Sequence, residues 1–171
     1  MKTLKLPILF ISLLFSGLLV QAQPMKSGIA KPYSASIPGW FTSLDEANAI
    51  SVKTGKPIMA NFTGSDWCGW CKKLRREVFD TPEFQKWADE NVVLLELDYP
   101  RSFQVPDNIK QQNQQLQQVL GVRGYPTIWL FTLTNNDKGQ ANINPLGKTG
   151  YVAGGPAKFI SVAQEQMLVK K

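Results

Sequence analysis

Residues 67–71 read Trp67-Cys68-Gly69-Trp70-Cys71, and these are the only two cysteines in 171 residues. A disulfide between positions i and i+3 closes too small a loop to restrain the unfolded chain, because the entropic benefit grows with loop length. A structural staple is therefore the weaker reading. A dithiol at this spacing, set between a strand-like run and a helix-like run, can instead open and close with little backbone movement, which is what thiol–disulfide exchange needs.

A helix that begins at Cys68 aims free N–H groups and the positive end of its dipole at that sulfur. The thiolate is then favoured, and its pKa is expected below the free value of about 8.5. Cys68 is accordingly the nucleophile that attacks a partner disulfide, and Cys71, less exposed on the first turn, attacks back to release the reduced partner. Trp67 and Trp70 flank the first cysteine and offer apolar contact to a substrate chain, whereas Trp87 and Trp129 sit among apolar residues and read as core. Histidine is absent, which excludes His-ligated zinc or copper and any Cys–His or Ser–His catalysis. No metal site and no cofactor are expected. The competing use of two cysteines is capture of a soft ion such as Cu(I) by a metallochaperone, weakened by the missing histidine and by the scatter of Met25, Met59 and Met167. A non-catalytic binding module is a third class, and the intact dithiol argues against it.

The elements around the dithiol follow from local patterns. Ser43 with Glu46 forms a capping box for a first helix, with Leu44, Ala47 and Ile50 on its apolar face and its end at Gly55. Residues 57–62 suit a buried strand. A helix from Cys68 places Leu74 and Val78 on one face and breaks near Asp80. Thr81 caps the next helix, Pro82 takes its first turn, and Phe84, Trp87 and Ala88 face inward. Residues 92–97 form a nearly continuous apolar strand interrupted by Glu96. After a proline-containing loop over 99–108, Ile109, Leu116, Val119 and Leu120 recur at helical spacing through a segment with six glutamines between 111 and 118. A strand over 127–133, a turn at 135–139, a weaker strand to Gly147 and a last helix with Phe159, Val162, Ala163 and Met167 inward complete the chain. This order predicts an α/β fold with a mixed sheet covered on both faces. Strands separated by helices read as parallel pairs, and the short last turn allows one antiparallel strand.

The first 22 residues carry Lys2 and Lys5, an apolar stretch over 6–20 and a small-residue site at Val20-Gln21-Ala22, the pattern of a cleaved signal peptide. Fifteen residues fall short of the roughly 20 a spanning helix needs. Residues 23–38, with prolines, serines and no apolar period, read as a flexible leader, and 39–171 as one domain. Without Lys2 and Lys5 the net charge falls from +6 to +4. Lys72, Lys73, Arg75 and Arg76 cluster after the dithiol as one solvated helix face, and no nucleic-acid binding is expected. The mature chain is expected to be periplasmic and monomeric.

Trp67-Cys68-Gly69-Trp70-Cys71 after an apolar strand, with Gly124-Tyr125-Pro126-Thr127 opening a later one, resembles the active site and cis-proline loop of the thioredoxin superfamily. The run from Phe62 to Cys71, with Leu97-Asp98-Tyr99-Pro100, is similar to exported bacterial disulfide reductases or isomerases of that superfamily. The resemblance implies a thioredoxin-like three-layer sandwich that reduces or isomerises disulfides in cysteine-containing exported proteins and is served by a membrane redox partner. It also implies a cis Pro126 against the dithiol, with Tyr125 facing the incoming chain. Asn61 stands where thioredoxins carry a buried aspartate that handles the second cysteine's proton. An amide cannot accept that proton, so Glu96 is the candidate substitute, against the alternative of a solvated strand-end carboxylate. Asp66 or water is the remaining route.

Overall fold

In the computed structural model, residues 33–135 and 141–168 are described. The expected signal peptide, residues 23–32 of the leader and the turn at 136–139 lie outside the described residues.

The first helix, α1 (Leu44–Thr54), starts and stops where its caps require. The Ser43 hydroxyl accepts from the Glu46 amide, and Gly55 adopts φ +70°, a left-handed terminus that glycine takes without steric cost. Strand β1 (Ile58–Thr63) is buried throughout and runs into the dithiol loop. Helix α2 (Gly69–Leu74) follows, with Cys68 as its N-cap, and continues into a π-helical turn over Arg75–Phe79. That wider turn departs from the expected uninterrupted helix. It brings Phe79 inward beside Leu74 and Val78, where its ring packs 5.0 Å from Trp40, 5.0 Å from Phe84 and 5.6 Å from Phe159. The Asp80 amide closes the turn on the Arg75 carbonyl. Helix α3 (Pro82–Asn91) is capped by Thr81 with Pro82 in its first turn, and it buries Phe84, Trp87 and Ala88 as expected.

Strand β2 (Val93–Asp98) pairs parallel to β1, with Asn61 opposite Glu96 and Thr63 opposite Asp98. Helix α4 (Asp107–Val119), strand β3 (Thr127–Asn135), strand β4 (Ala141–Thr149) and helix α5 (Gly155–Leu168) complete the order. The sheet runs β2-β1-β3-β4, and β3 is antiparallel to both β1 and β4. The expectation of a single antiparallel strand pair is corrected at β1–β3. The loop after β2 and α4 together carry the chain out and back to the same end of the sheet, so the intervening helix does not force a parallel return.

Side-chain alternation divides the core into two layers. Ile58, Ala60 and Phe62 of β1 face Ala47 of α1 and Leu116 of α4. Met59 and the β3 residues Ile128 and Leu130 face the opposite way, against Leu74, Phe84 and Phe159. The result is the predicted three-layer α/β arrangement with helices on both faces. Two expected core positions are instead solvent-facing. Ile50 and Val119 are exposed, and the buried places on those helices belong to Ser51 and Asn113. Both polar side chains find backbone partners, Ser51 on the Lys56 carbonyl and Asn113 on that of Asp98, which is what makes their burial tolerable.

The last six leader residues are also corrected. Residues 33–41 form a strap along the outer edge of β2, with Ile37 and Trp40 in the core. Phe41 donates to Leu94 O at 2.9 Å and accepts from the Glu96 amide at 2.8 Å. The strap thereby covers a sheet edge that would otherwise present unpaired backbone groups. Among the described residues, no helix is long and apolar enough to cross a membrane.

Candidate active site

Cys68 and Cys71 are joined in a disulfide, with their Cα atoms 5.2 Å apart. The Cys71 amide donates to Cys68 Sγ at 3.2 Å, so the sulfur itself caps the first turn of α2. That geometry favours negative charge on Cys68 once the pair is reduced. In the disulfide form the two residues are almost equally covered, at 7 % and 5 % exposure. The distinction between them therefore comes from the helix terminus more than from accessibility.

The tryptophans part company. Trp70 is 58 % exposed, its ring 5.2 Å from that of Tyr151, with Lys73 Nζ 5.1 Å from one centroid and 4.9 Å from the other. Trp67 is half-buried and locked. Its indole N–H donates to Tyr99 O at 2.8 Å, its ring meets Tyr125 edge-on at 5.8 Å, and the Arg101 guanidinium lies 4.0 Å above it. Trp87 is core as expected, whereas Trp129 is only half-buried, with Lys148 Nζ 5.4 Å from its ring.

The Tyr125–Pro126 peptide is cis, as the resemblance implies, and both residues are half-buried. Tyr125 packs 5.1 Å from Tyr99, and burial pushes the phenols of both upward, so they stay neutral. Gly150, just past β4, passes so near that an added Cβ would sit 3.3 Å from Pro126 O.

Beneath Cys71 lies a cavity of about 240 Å³ lined by Ser36, Asn61, Thr63, Glu96 and Arg75 among others. Asn61 Oδ1 is buried there without a partner. Glu96 is 1 % exposed, which overturns the solvated alternative. Its carboxylate accepts from the Ser36 amide at 2.6 Å and the Ser36 hydroxyl at 2.7 Å. Burial raises its pKa, the Ser36 bonds oppose that rise, Asp98 adds to it and Arg75 opposes it. Asp66 is turned away from this role. Its carboxylate accepts from the Arg101 amide, the Ser102 amide and the Ser102 hydroxyl, and the Ser102 bonds lead in holding its pKa low.

Several residues here went unpredicted. Asp98 accepts from the Ser65 amide at 2.8 Å and the Ser65 hydroxyl at 2.5 Å. With Asp66 reaching the other way, the loop before the dithiol and the loop after β2 are clamped twice. Ser36 was hidden in the leader. Gly64 is required by Trp67, since an ideal Cβ there would fall 2.4 Å from the indole. Gly64, Ser65, Asp98 and Tyr99 left a signal only as part of the resemblance, and Ser36 left none.

A Cys-X-X-Cys pair at a helix N-terminus, with a cis-proline loop whose Tyr125 meets the neighbouring Trp67, defines a thiol–disulfide oxidoreductase of thioredoxin-like architecture. Residues 44–142 match the family described as a thioredoxin-like domain, and the chain belongs to it. It is 29% identical over 140 residues to the disulfide bond reductase DsbH of Chlamydia pneumoniae, covering 82% of this chain and 79% of that protein. The solved structure of a DsbH oxidoreductase matches with a TM-score of 0.65 at 29% identity, over 82% of this chain and 91% of that one. The thioredoxin-related protein DsbJ of Chlamydia pneumoniae is 33% identical over 93 residues, which is 54% of this chain but 27% of DsbJ.

Proposed function

We propose that this chain is an exported disulfide reductase, released into the periplasm by cleavage after Ala22, that acts on cysteine-containing exported proteins. The observation that carries the reading is Cys68 at the helix cap with Cys71 above a polar cavity. In the reduced enzyme, the Cys68 thiolate attacks one sulfur of a partner disulfide. A mixed S–S bond forms and the partner's other sulfur leaves as a thiolate. Cys71 then attacks Cys68, the mixed bond breaks, and the partner departs with two thiols while the enzyme takes the disulfide. A membrane redox partner returns the two electrons. The name of the relative DsbH favours reduction over isomerisation as the principal direction.

Trp70 and Tyr125 flank the approach to Cys68 and contact the incoming chain, with Trp67 setting the wall behind them and Pro126 keeping an amide donor away from the sulfurs. The proton of Cys71 crosses the cavity to Glu96, whose burial raises its affinity for a proton above that of an ordinary carboxylate. A cavity of this size and polarity admits water for the transfer.

The test is trapping. Cys71→Ser should accumulate mixed disulfides with exported proteins, because attack proceeds and resolution does not. Cys68→Ser should trap none. Equal trapping by both variants would overturn the assignment of nucleophile.

A further inference from the structure

Glu96 is held from outside its own strand. Both of its carboxylate oxygens are occupied by one residue sixty positions away, the amide of Ser36 on Oε1 and the hydroxyl of Ser36 on Oε2. The segment that presents Ser36 is anchored on its far side by Ile37 and Trp40 in the core and by Phe41 on the edge of β2. We propose that Ser36 is a positioning residue for the proton step, holding Glu96 at the cavity under Cys71 in both of the protonation states the step requires. This rests on Glu96 being the proton acceptor.

The two donors are not equivalent. A backbone N–H can only donate, so Oε1 stays an acceptor throughout. A hydroxyl can turn, donating to Oε2 when the carboxylate is ionised and accepting from it when that oxygen carries a proton. The proton leaving Cys71 therefore settles on Oε2, one hydrogen bond reverses its sense, and none is lost. With a second fixed N–H in place of the hydroxyl, the protonated state would leave a buried donor unsatisfied.

Every charged or titratable group facing Glu96 belongs to this balance. Tyr33 of the strap is kept neutral by burial and by the charges of Asp98 and Glu96. Asn61 of β1 is neutral. Asp98 of β2 favours the acid, and Arg75 of the π turn favours the carboxylate. Cys71 of α2 is the donor, and Lys72, Arg76 and Asp80 are the remaining charged residues of the cavity lining. Burial is the largest influence and favours the acid, so loss of the Ser36 hydroxyl bond tips the group towards staying protonated.

The experiment uses the reduced full chain and dithiobis(nitrobenzoate) in stopped flow, where attack by Cys68 and resolution by Cys71 release the chromophore in two phases. In the unmodified protein the second phase should quicken as Glu96 loses its proton. Ser36→Ala should move that midpoint upward by about one pH unit, as expected for loss of a hydrogen bond to a charged group. It should leave the first phase unchanged, and Ser36→Thr, which keeps the hydroxyl, should restore the profile. In a Glu96→Gln background Ser36→Ala should add nothing. An unshifted profile in Ser36→Ala while Glu96→Gln alone slows the second phase would overturn this inference and spare the acceptor. Equal slowing of both phases, or the same slowing by Ser36→Ala in the Glu96→Gln background, would also overturn it, since the strap would then act through shape. A second phase indifferent to Glu96→Gln would remove the acceptor and this inference with it.

Discussion

Gly64→Ala tests whether the dithiol loop is built around a close approach between backbone and indole. The residue needs no unusual backbone angle; its constraint is space. An ideal Cβ would lie 2.4 Å from Trp67 Cε2, 2.6 Å from Nε1 and 2.7 Å from Cζ2, and atoms so placed must move apart. The ring can yield only by leaving the Tyr99 carbonyl and the Arg101 guanidinium. The backbone can yield only by shifting Gly64 O, which accepts from the Cys68 amide at 2.8 Å. Overpacking costs about 1–3 kcal/mol. A lost indole hydrogen bond adds about 1 kcal/mol. A weakened cation–π contact adds about 0.5–1 kcal/mol.

These costs share one displacement and do not sum in full, so the expected loss is about 2–4 kcal/mol, or about 6–15 °C in Tm for a domain of this size. Thermal unfolding of the oxidised protein followed by circular dichroism measures it. The specific content lies in the coupling. In a Trp67→Ala background the added methyl meets no ring, and Gly64→Ala should then cost under about 0.5 kcal/mol. A Gly64→Ala protein as stable as the parent, or one equally destabilised in both backgrounds, would refute the reasoning.

Three further outcomes follow from the same geometry. Glu96 has a folded pKa raised above its ordinary value of 4.5 by burial, so its contribution to stability is complete below that value and is lost as pH rises through the folded one. Urea unfolding across pH should therefore show the parent losing stability relative to Glu96→Gln as pH rises above about 4.5, and parallel curves would count against a buried acid. Asp66→Ala should release the Arg101 and Ser102 amides, seen as faster hydrogen exchange at those two positions with the core amides unchanged; unaltered exchange would mean the clamp is idle. Trp70→Ala should leave the unfolding free energy within about 0.5 kcal/mol of the parent, since the ring is largely exposed, while raising KM for a protein disulfide severalfold; an unchanged KM would remove Trp70 from the substrate contact.

What was legible in the sequence was what is decided within a few residues. Ser43 and Gly55, or Thr81 followed by Pro82, bound a helix by local hydrogen bonding and φ preference alone, and their elements stand where those residues put them. Helical periodicity is less decisive about which apolar residue meets the sheet. Val119 is 70 % exposed although it shares the spacing of Leu116 and Leu120, and the buried place goes to Asn113, whose side chain reaches the Asp98 carbonyl. The π turn has no sequence signature; it is chosen by the aromatic cluster that gathers Phe79. The strap was illegible for the same reason in stronger form. Prolines and serines without apolar period read as leader, and only the folded sheet supplies the edge that orders them.

The position of Glu96 then follows from strand geometry. Along β1 and β2, alternate residues share a face, so Met59, Asn61 and Thr63 look the same way as Leu94, Glu96 and Asp98, towards the layer that holds α2. Because the strands are parallel with Asn61 opposite Glu96, an acid at either position addresses the same cavity, displaced sideways by one strand spacing of about 4.8 Å. The two positions differ in what surrounds them. β1 is flanked by β2 and β3, whereas β2 is flanked on its outer side only by the strap. A buried carboxylate on β2 needs donors from that outer side, and the strap supplies both through Ser36. Asn61, the acid on Glu96 and the ordered strap are thus one arrangement: an amide on the inner strand, a carboxylate on the outer, and a segment that makes its burial tolerable.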